Sequence, residues 1–131
     1  MKKGVLIDAV NKTVTDVEVE DGIDAIYEKI QANNFDVVDI ADNATLYVDG
    51  EALCKQAYID EDGTKHGLHA FSFDGISQVM MGHGLILGFD AKTGESVDSP
   101  FNAENIEGYI TFCEYDRPED RPQPFMQFFS F

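Results

Sequence analysis

Residues 13–20 read TVTDVEVE, and this alternation decides the class of fold. The odd-numbered positions carry threonines and valines, whereas the even-numbered positions after Val14 carry the carboxylates of Asp16, Glu18 and Glu20. Successive residues of an extended chain lie on opposite faces, so one face of this segment is weakly apolar and the other is acidic. The pattern predicts an antiparallel strand over 13–20 with its acidic face in solvent.

Further strand signals lie on both sides of this stretch. Val5 to Val10 precedes it across an Asn11-Lys12 turn and predicts a neighbouring strand. Apolar runs bounded by turn residues predict further strands at 35–40, 45–49, 69–73, 85–89 and 109–115. Between two of these runs, Gly75 to His83 is expected to be irregular, with Met80-Met81 packed inward.

Helical periodicity appears in two places. Apolar residues recur at helical spacing over about 22–32, which predicts one main helix with a single stripe packed on the sheet. Pro100 to Glu107 predicts a short second helix over about 102–107. The fold class that follows is α+β, with a mostly antiparallel or mixed sheet, one main helix and one short helix.

The chain divides into a domain and a C-terminal segment of different composition. Its 131 residues are close to the commonest domain size, so we predict a single α+β domain over 1–116. Residues 117–131 carry three of the four prolines and then read FMQFFSF, so we expect an extended stem followed by an aromatic end. The aromatic end is expected to pack either on the domain itself or on a partner, including a second copy in a homodimer. Its candidate interaction residues are Phe125, Phe128, Phe129 and Phe131.

Charge is the most unusual property of the sequence. Twenty-five acids face nine lysines and arginines, which gives a formal net charge of −16. Such a field repels nucleic acid and anionic membranes and attracts basic partners, so direct nucleic-acid binding is not expected. We also expect no membrane span, no signal peptide, a cytoplasmic location and reduced thiols at Cys54 and Cys113.

The acids concentrate in the first half of the chain. Residues 13–54 contain eleven acids and one base, Lys29. Carboxylates two residues apart on a strand are about 6.8 Å apart, close to two phosphate steps of about 3.4 Å along a DNA strand. This region is therefore either a polyanion mimic for a nucleic-acid-binding groove or an ordinary solvated sheet face. The candidate interaction residues here are Asp16, Glu18, Glu20, Asp21, Asp24 and Glu28.

The other residues that could bind a metal or cofactor, or take part in catalysis, do not form a recognised motif. His66 and His69 fall on opposite faces if they lie on a strand, and no Cys-x-x-Cys pair accompanies them, so we predict no metal site. The loop from Asp60 to Gly63 does not have the spacing of a calcium loop. Gly82-His83-Gly84 precedes a strand rather than a helix, which is the wrong order for a dinucleotide fingerprint. We therefore predict neither a cofactor nor catalytic residues.

Six short pieces occur in a characteristic order along residues 3 to 115. They are LID at 6–8, VEV at 17–19, IY at 26–27, FDVV at 35–38, LYVDGE at 46–51 and GLILG at 84–88. With them the chain resembles a small domain family of unknown function found in bacteriophages and mobile elements. The resemblance supplies no catalytic residues. It implies a phage-type accessory protein that acts on host machinery in the host cytoplasm.

Three functions remain open at this point. The first is a non-enzymatic accessory protein that binds a host protein with a basic surface, as an anti-defence factor or a nucleic-acid mimic. The second is a module that binds or sequesters a nucleotide or metabolite in a pocket between the sheet and the 70–84 loop. The third is a structural or assembly protein that dimerises through its C-terminal segment.

Overall fold

The structure, a computed structural model, describes residues 1–52 and 56–121. The strands are β1 (Lys2–Asp8), β2 (Thr13–Val19), β3 (Phe35–Ala41), β4 (Ala44–Asp49), β5 (Tyr58–Ile59), β6 (Lys65–His66), β7 (His69–Phe73), β8 (Met80–Met81), β9 (His83–Asp90), β10 (Glu95–Val97) and β11 (Ile110–Glu114). The helices are α1 (Ile23–Ile30) and α2 (Ala103–Ile106), with single 3₁₀ turns at Glu107–Tyr109 and Pro118–Asp120.

The strands form two sheets and one isolated hairpin. The main sheet has the order β2-β1-β9-β4-β3, with β10 beside the end of β9. The second sheet has the order β11-β7-β8, and β5 pairs with β6. Every pairing within the described residues is antiparallel, so the predicted α+β fold with a mostly antiparallel sheet is confirmed.

The main sheet is covered on both faces. On one face, α1 packs Ile26 and Ile30 against Val19, Leu85 and Leu87. On the other face, residues such as Val5 and Ile86 of the main sheet pack against Phe71 and Met80 of the second sheet and Ile106 of α2. The alternation along β9 places Leu85 and Ile86 in different cores, as expected of a strand covered on both faces. The molecule therefore has three layers: the helix α1, the main sheet and the smaller second sheet.

A glycine makes the close contact between the two sheets possible. A Cβ atom at Gly84 of β9 would lie 2.6 Å from Cζ of Phe71 and 3.0 Å from a methyl group of Leu46. Phe71 is fully buried, so its ring has no room to move aside. Because position 84 has no side chain, Phe71 of the second sheet can pack directly against the main sheet.

Both predicted helices are present, with shorter bounds than expected. α1 ends where Gln31 adopts the left-handed conformation, with φ 56°, and the backbone N–H groups of Gln31 and Ala32 donate to the carbonyls of Glu28 and Tyr27. α2 begins after Asn102, whose side chain accepts a hydrogen bond from the backbone N–H of Asn105 while the Asn105 side chain accepts from the backbone of Asn102. This reciprocal capping lets a four-residue helix form in a segment without strong helical periodicity.

Two sequence expectations need refinement. Asp16 and Glu18 on the acidic face of β2 are exposed, as expected, but Val14 on the same face is half-buried against the core and α2 packs beside the strand. In the described part of the stem, Pro118–Asp120 forms a 3₁₀ turn rather than an extended segment, with the proline in its first positions, where its fixed φ is compatible with helical geometry.

The predictions for Cys54 and for the aromatic end of the chain, with Phe125, Phe128, Phe129 and Phe131, lie outside the described residues. Homodimerisation through that end therefore stays a prediction. Within the described residues, no helix has the length and apolar character needed to cross a bilayer.

Candidate functional site

Two adjoining clefts open on either side of the segment that contains α2. The first, here called the aromatic cleft, has a volume of about 570 Å³ and is lined by Ile40, Phe73, Asp74, Phe101, Asn105, Ile106 and Tyr109. The second, here called the acidic cleft, has a volume of about 490 Å³ and is lined by Lys3, Gly4, Asp16, Val17, Glu18, Ser99, Pro100, Phe101, Asn102 and Asn105. Because Phe101 and Asn105 line both, they form a ridge that separates the two clefts.

The segment that leads to this ridge is tied to the inner strands β1 and β9 of the main sheet. The backbone N–H of Ser99 donates to the carbonyl of Lys3 at 2.8 Å, and the N–H of Lys3 donates to the Asp98 carboxylate at 2.8 Å. A Cβ atom at Gly88 would lie 2.0 Å from the carbonyl oxygen of Asp98, so only glycine lets the chain cross β9 at this point. These contacts hold the segment after β10 against β1 before it reaches α2.

Asp16 of β2 holds the start of α2. Its Oδ1 accepts a hydrogen bond of 2.8 Å from the backbone N–H of Ala103, the first residue of the helix. That N–H is one of the amide groups that a helix leaves unsatisfied at its beginning. Ile106 of the same helix is buried in the core between the two sheets, so both polar and apolar contacts hold the ridge.

Two aromatic rings form one wall of the aromatic cleft. The rings of Phe73 and Tyr109 are nearly parallel, with an interplanar angle of 10° and centroids 6.0 Å apart. The backbone N–H of Asp74 donates to the carbonyl of Tyr109 at 2.9 Å, which holds the main chain of Asp74 next to this wall, and Asp74 lines the same cleft. Tyr109 is 53% exposed, so its ring presents a flat surface to solvent rather than filling the core.

The surface around the ridge is strongly negative. Asp16 and Glu18 line one cleft and Asp74 lines the other, and all three are exposed. Glu104 and Glu107 are exposed on the ridge segment itself. Among the described residues, Lys3 is the one basic residue that lines either cleft. We call these five acids the ridge acids.

The six acids predicted to interact are not gathered at one place. Asp16 and Glu18 line the acidic cleft, and Glu20 is exposed just beyond the end of β2. Asp21 lies 3.7 Å from the Lys2 ammonium group, whereas Asp24 and Glu28 are exposed on α1. α1 and α2 pack on opposite faces of the main sheet, so the six acids form two groups that meet around the β2 edge.

The remaining acids of residues 13–54 lie elsewhere. Asp36 and Asp39 belong to β3, at the opposite edge of the main sheet from β2. Four strand spacings of about 4.8 Å separate the two edges. Acidic side chains on both edge strands also discourage edge-to-edge pairing with other molecules, which accounts for part of the charge without a partner.

The two histidines singled out in the sequence have separate partners. His66 Nε2 lies 2.6 Å from Asp60 Oδ2, and its imidazole stacks on Tyr58. His69 Nε2 lies 2.9 Å from Glu114 Oε1, and the Lys65 ammonium group binds the other oxygen of that carboxylate. Within the part of the chain that the structure describes, no three metal-ligating side chains converge on one point.

The hydrogen bond from Lys65 lowers the pKa of Glu114 and raises the pKa of Lys65, so both groups of this pair stay charged near neutral pH. Burial raises the pKa of the Cys113 thiol, which disfavours the thiolate needed for nucleophilic chemistry. Neither arrangement supplies a poised acid, base or nucleophile.

The sequence analysis expected a pocket beside the 70–84 loop, the stretch that contains Phe73 and Asp74, but it did not single out individual lining residues of the aromatic cleft. Phe73 and Tyr109 come together because β7 pairs with β11 in a register that places Phe73 opposite Ile110. No local pattern encodes that register. The signal that was available is the repeated asparagine of Asn102-x-x-Asn105, which marks the start of α2 and hence the ridge.

No family model matches this chain, and no similar curated protein or solved structure was found. The resemblance to the phage and mobile-element domain family therefore rests on the six sequence pieces alone.

Proposed function

We propose that this chain is a non-enzymatic binding protein that recognises a basic surface on a partner protein through the ridge acids. The observation that carries the proposal is the placement of five exposed carboxylates around two clefts that share one ridge, with Lys3 as the one base lining them in the described residues. Exposed acids of one sign steer an oppositely charged partner and fix its orientation. The net charge of −16 extends that attraction beyond the ridge.

Binding fits these acids better than catalysis. General acid–base chemistry requires a carboxyl group whose pKa is displaced by burial or by a close like charge. Asp16, Glu18 and Asp74 are exposed, and hydrated carboxylates of this kind are suited to pairing with lysine and arginine.

We further propose that the partner belongs to a host cell. The resemblance to a phage and mobile-element family implies this context, and a defence or nucleic-acid-processing factor is the class of host protein that carries a basic groove. Acids that occupy such a groove would act as a nucleic-acid mimic. One carboxylate oxygen of Asp16 is bonded to Ala103, so Glu18 and Glu20 are the more freely available members of the alternating row Asp16, Glu18 and Glu20.

A pair of charge variants tests the proposal on immobilised protein. The first variant removes four ridge charges: E18Q, D74N, E104Q and E107Q. The matched control removes four charges that line neither cleft, from β3 and the turns at either end of β4: D36N, D39N, D42N and E51Q. We expect basic bacterial proteins to be retained at low salt by the wild type and the control, and to be lost from the ridge variant and at high salt. Equal retention by the two variants would overturn the proposal.

A small-ligand module is the second candidate, and the aromatic cleft favours it. Its volume of about 570 Å³ falls within the roughly 300–1,000 Å³ of typical ligand sites. A ligand that binds the native state raises the melting temperature. Melting curves with nucleotides and common metabolites would support this candidate if one compound raised Tm in the wild type and not in Tyr109→Ala.

A further inference from the structure

We propose that the aromatic cleft receives an arginine side chain of the basic partner, with the guanidinium group stacked on Phe73 and Tyr109 and paired with Asp74. This inference rests on the proposed function, because the partner supplies the arginine. It assigns a specific anchor to a surface that would otherwise act through charge alone.

The aromatic wall has the shape that a guanidinium group requires. The rings of Phe73 and Tyr109 are stacked within 10° of parallel, with centroids 6.0 Å apart, and Tyr109 is exposed, so this wall presents an aromatic surface to solvent. A planar guanidinium group stacks on such a surface through cation–π attraction, whereas an ammonium group is compact and more strongly hydrated. The wall thus favours arginine over lysine.

The Asp74 carboxylate completes the site. The N–H of Asp74 donates to the Tyr109 carbonyl and the N–H of Ile76 donates to the Phe73 carbonyl, so a tight turn fixes the backbone of Asp74, which lines the same cleft as both rings. Within the described residues, no basic side chain pairs with Asp74. A carboxylate can accept two parallel hydrogen bonds from one guanidinium group, an arrangement that lysine cannot form.

The acidic cleft next to it can bind a second basic residue of the partner. Phe101 and Asn105 line both clefts, so a chain whose arginine enters the aromatic cleft passes directly over the ridge toward Asp16 and Glu18. A second basic residue on the same segment would meet those carboxylates. The partner surface is therefore a short basic segment with one arginine anchor, and arginine is among the residues that most often dominate interface energetics.

Two synthetic peptides of equal length and charge provide the test. Both carry four basic residues separated by glycine and serine; one has only arginine and the other only lysine. We measure their affinity by fluorescence anisotropy at low salt. The arginine peptide should bind about five- to tenfold more tightly to the wild type.

Substitutions in the cleft should remove that preference. Tyr109→Ala and Asp74→Asn should each bring the affinity for the arginine peptide close to that for the lysine peptide, whereas Tyr109→Phe should retain the preference. The matched controls are Tyr58→Ala, at a tyrosine 49% exposed in the β5–β6 hairpin, and Asp36→Asn on β3. Neither control should change the ratio, and melting curves establish that each variant is folded.

The outcomes separate the anchor from the proposed function. Equal binding of both peptides to the wild type, with salt dependence and loss in the ridge variant, would overturn the arginine anchor and leave the acidic surface standing. Failure of both peptides to bind at low salt would overturn the two together. A preference for arginine that survives in Tyr109→Ala would place the anchor outside this cleft and also contradict the inference.

Discussion

The Asp16 carboxylate accepts a hydrogen bond of 2.8 Å from the backbone N–H of Ala103, a residue 87 positions later in the chain. This contact joins the edge strand of the main sheet to the short helix that separates the two clefts. Asp16 therefore stabilises the fold as well as contributing to the acidic surface. In the sequence it is one of three alternating acids predicted to face solvent, yet in the structure it has a hydrogen-bond partner.

Removing this carboxylate should loosen the ridge. We expect Asp16→Ala to lower the free energy of unfolding by about 1 kcal/mol, the usual effect of losing a side-chain acceptor at a helix start. Asp16→Asn keeps an oxygen acceptor and should lose less. Urea unfolding measures both, and Asp39→Ala on β3 is the control, since it removes an exposed aspartate from the opposite edge strand. A loss for Asp16→Ala no larger than for the control would contradict the structural role.

Gly84 is expected to tolerate no side chain. Because a Cβ atom would lie 2.6 Å from Phe71, Gly84→Ala should force the two sheets apart and lower the free energy of unfolding. Overpacking of this kind costs about 1–3 kcal/mol. Gly108→Ala is the matched control, because a Cβ atom there meets nothing within 4 Å. Chemical denaturation of the two variants should separate them clearly, and similar stabilities would show that the sheets can adjust.

The main features of the fold could be predicted because they leave local patterns. The alternation at Thr13 to Val19 and the helical spacing of Ile23, Ile26 and Ile30 are properties of neighbouring residues. In contrast, β8 and β10 are two and three residues long, too short to show a period. They form because β7 and the end of β9 have backbone groups available for pairing with them. No local sequence pattern indicates where such groups are available.

The candidate site was harder to predict because distant residues build it. The acids of residues 13–28 were visible as charges, yet their division between two faces depends on where α1 and α2 pack. The aromatic wall depends on the register of β7 with β11, and the ridge depends on the bond between Asp16 and Ala103. Composition indicates the sign of a surface, whereas long-range pairing decides its shape.

Asp8 should make stability depend on pH in acid. Burial alone would raise the pKa of Asp8, but hydrogen bonds from Asn11, the charge of His83 and the N–H of Val10 together hold it below its ordinary value of 3.8. A depressed pKa in the folded state stabilises the protein above the unfolded pKa, and this contribution is lost as the pH falls through the folded pKa. The loss should therefore begin near pH 3.8 and continue below it.

The comparison with Asp8→Asn isolates this residue from the other carboxylates. The variant should be less stable than the wild type at neutral pH, and the difference should shrink as the pH falls below 3.8. Thermal melts at a series of pH values measure it. A difference that stays constant with pH would mean that the Asp8 charge contributes nothing beyond its hydrogen-bonding shape.

Salt should stabilise the whole molecule. With a net charge of −16, repulsion among the acids opposes the compact state, and added ions screen that repulsion. We expect Tm to rise with KCl between low and physiological ionic strength. The ridge variant and its β3-edge control each lack four negative charges, so both should melt higher than the wild type at low salt and respond less to KCl. An unchanged Tm across this range would mean that the acids lie too far apart for their mutual repulsion to affect stability. The two groups of acids around the β2 edge would then be too dispersed to steer a basic partner.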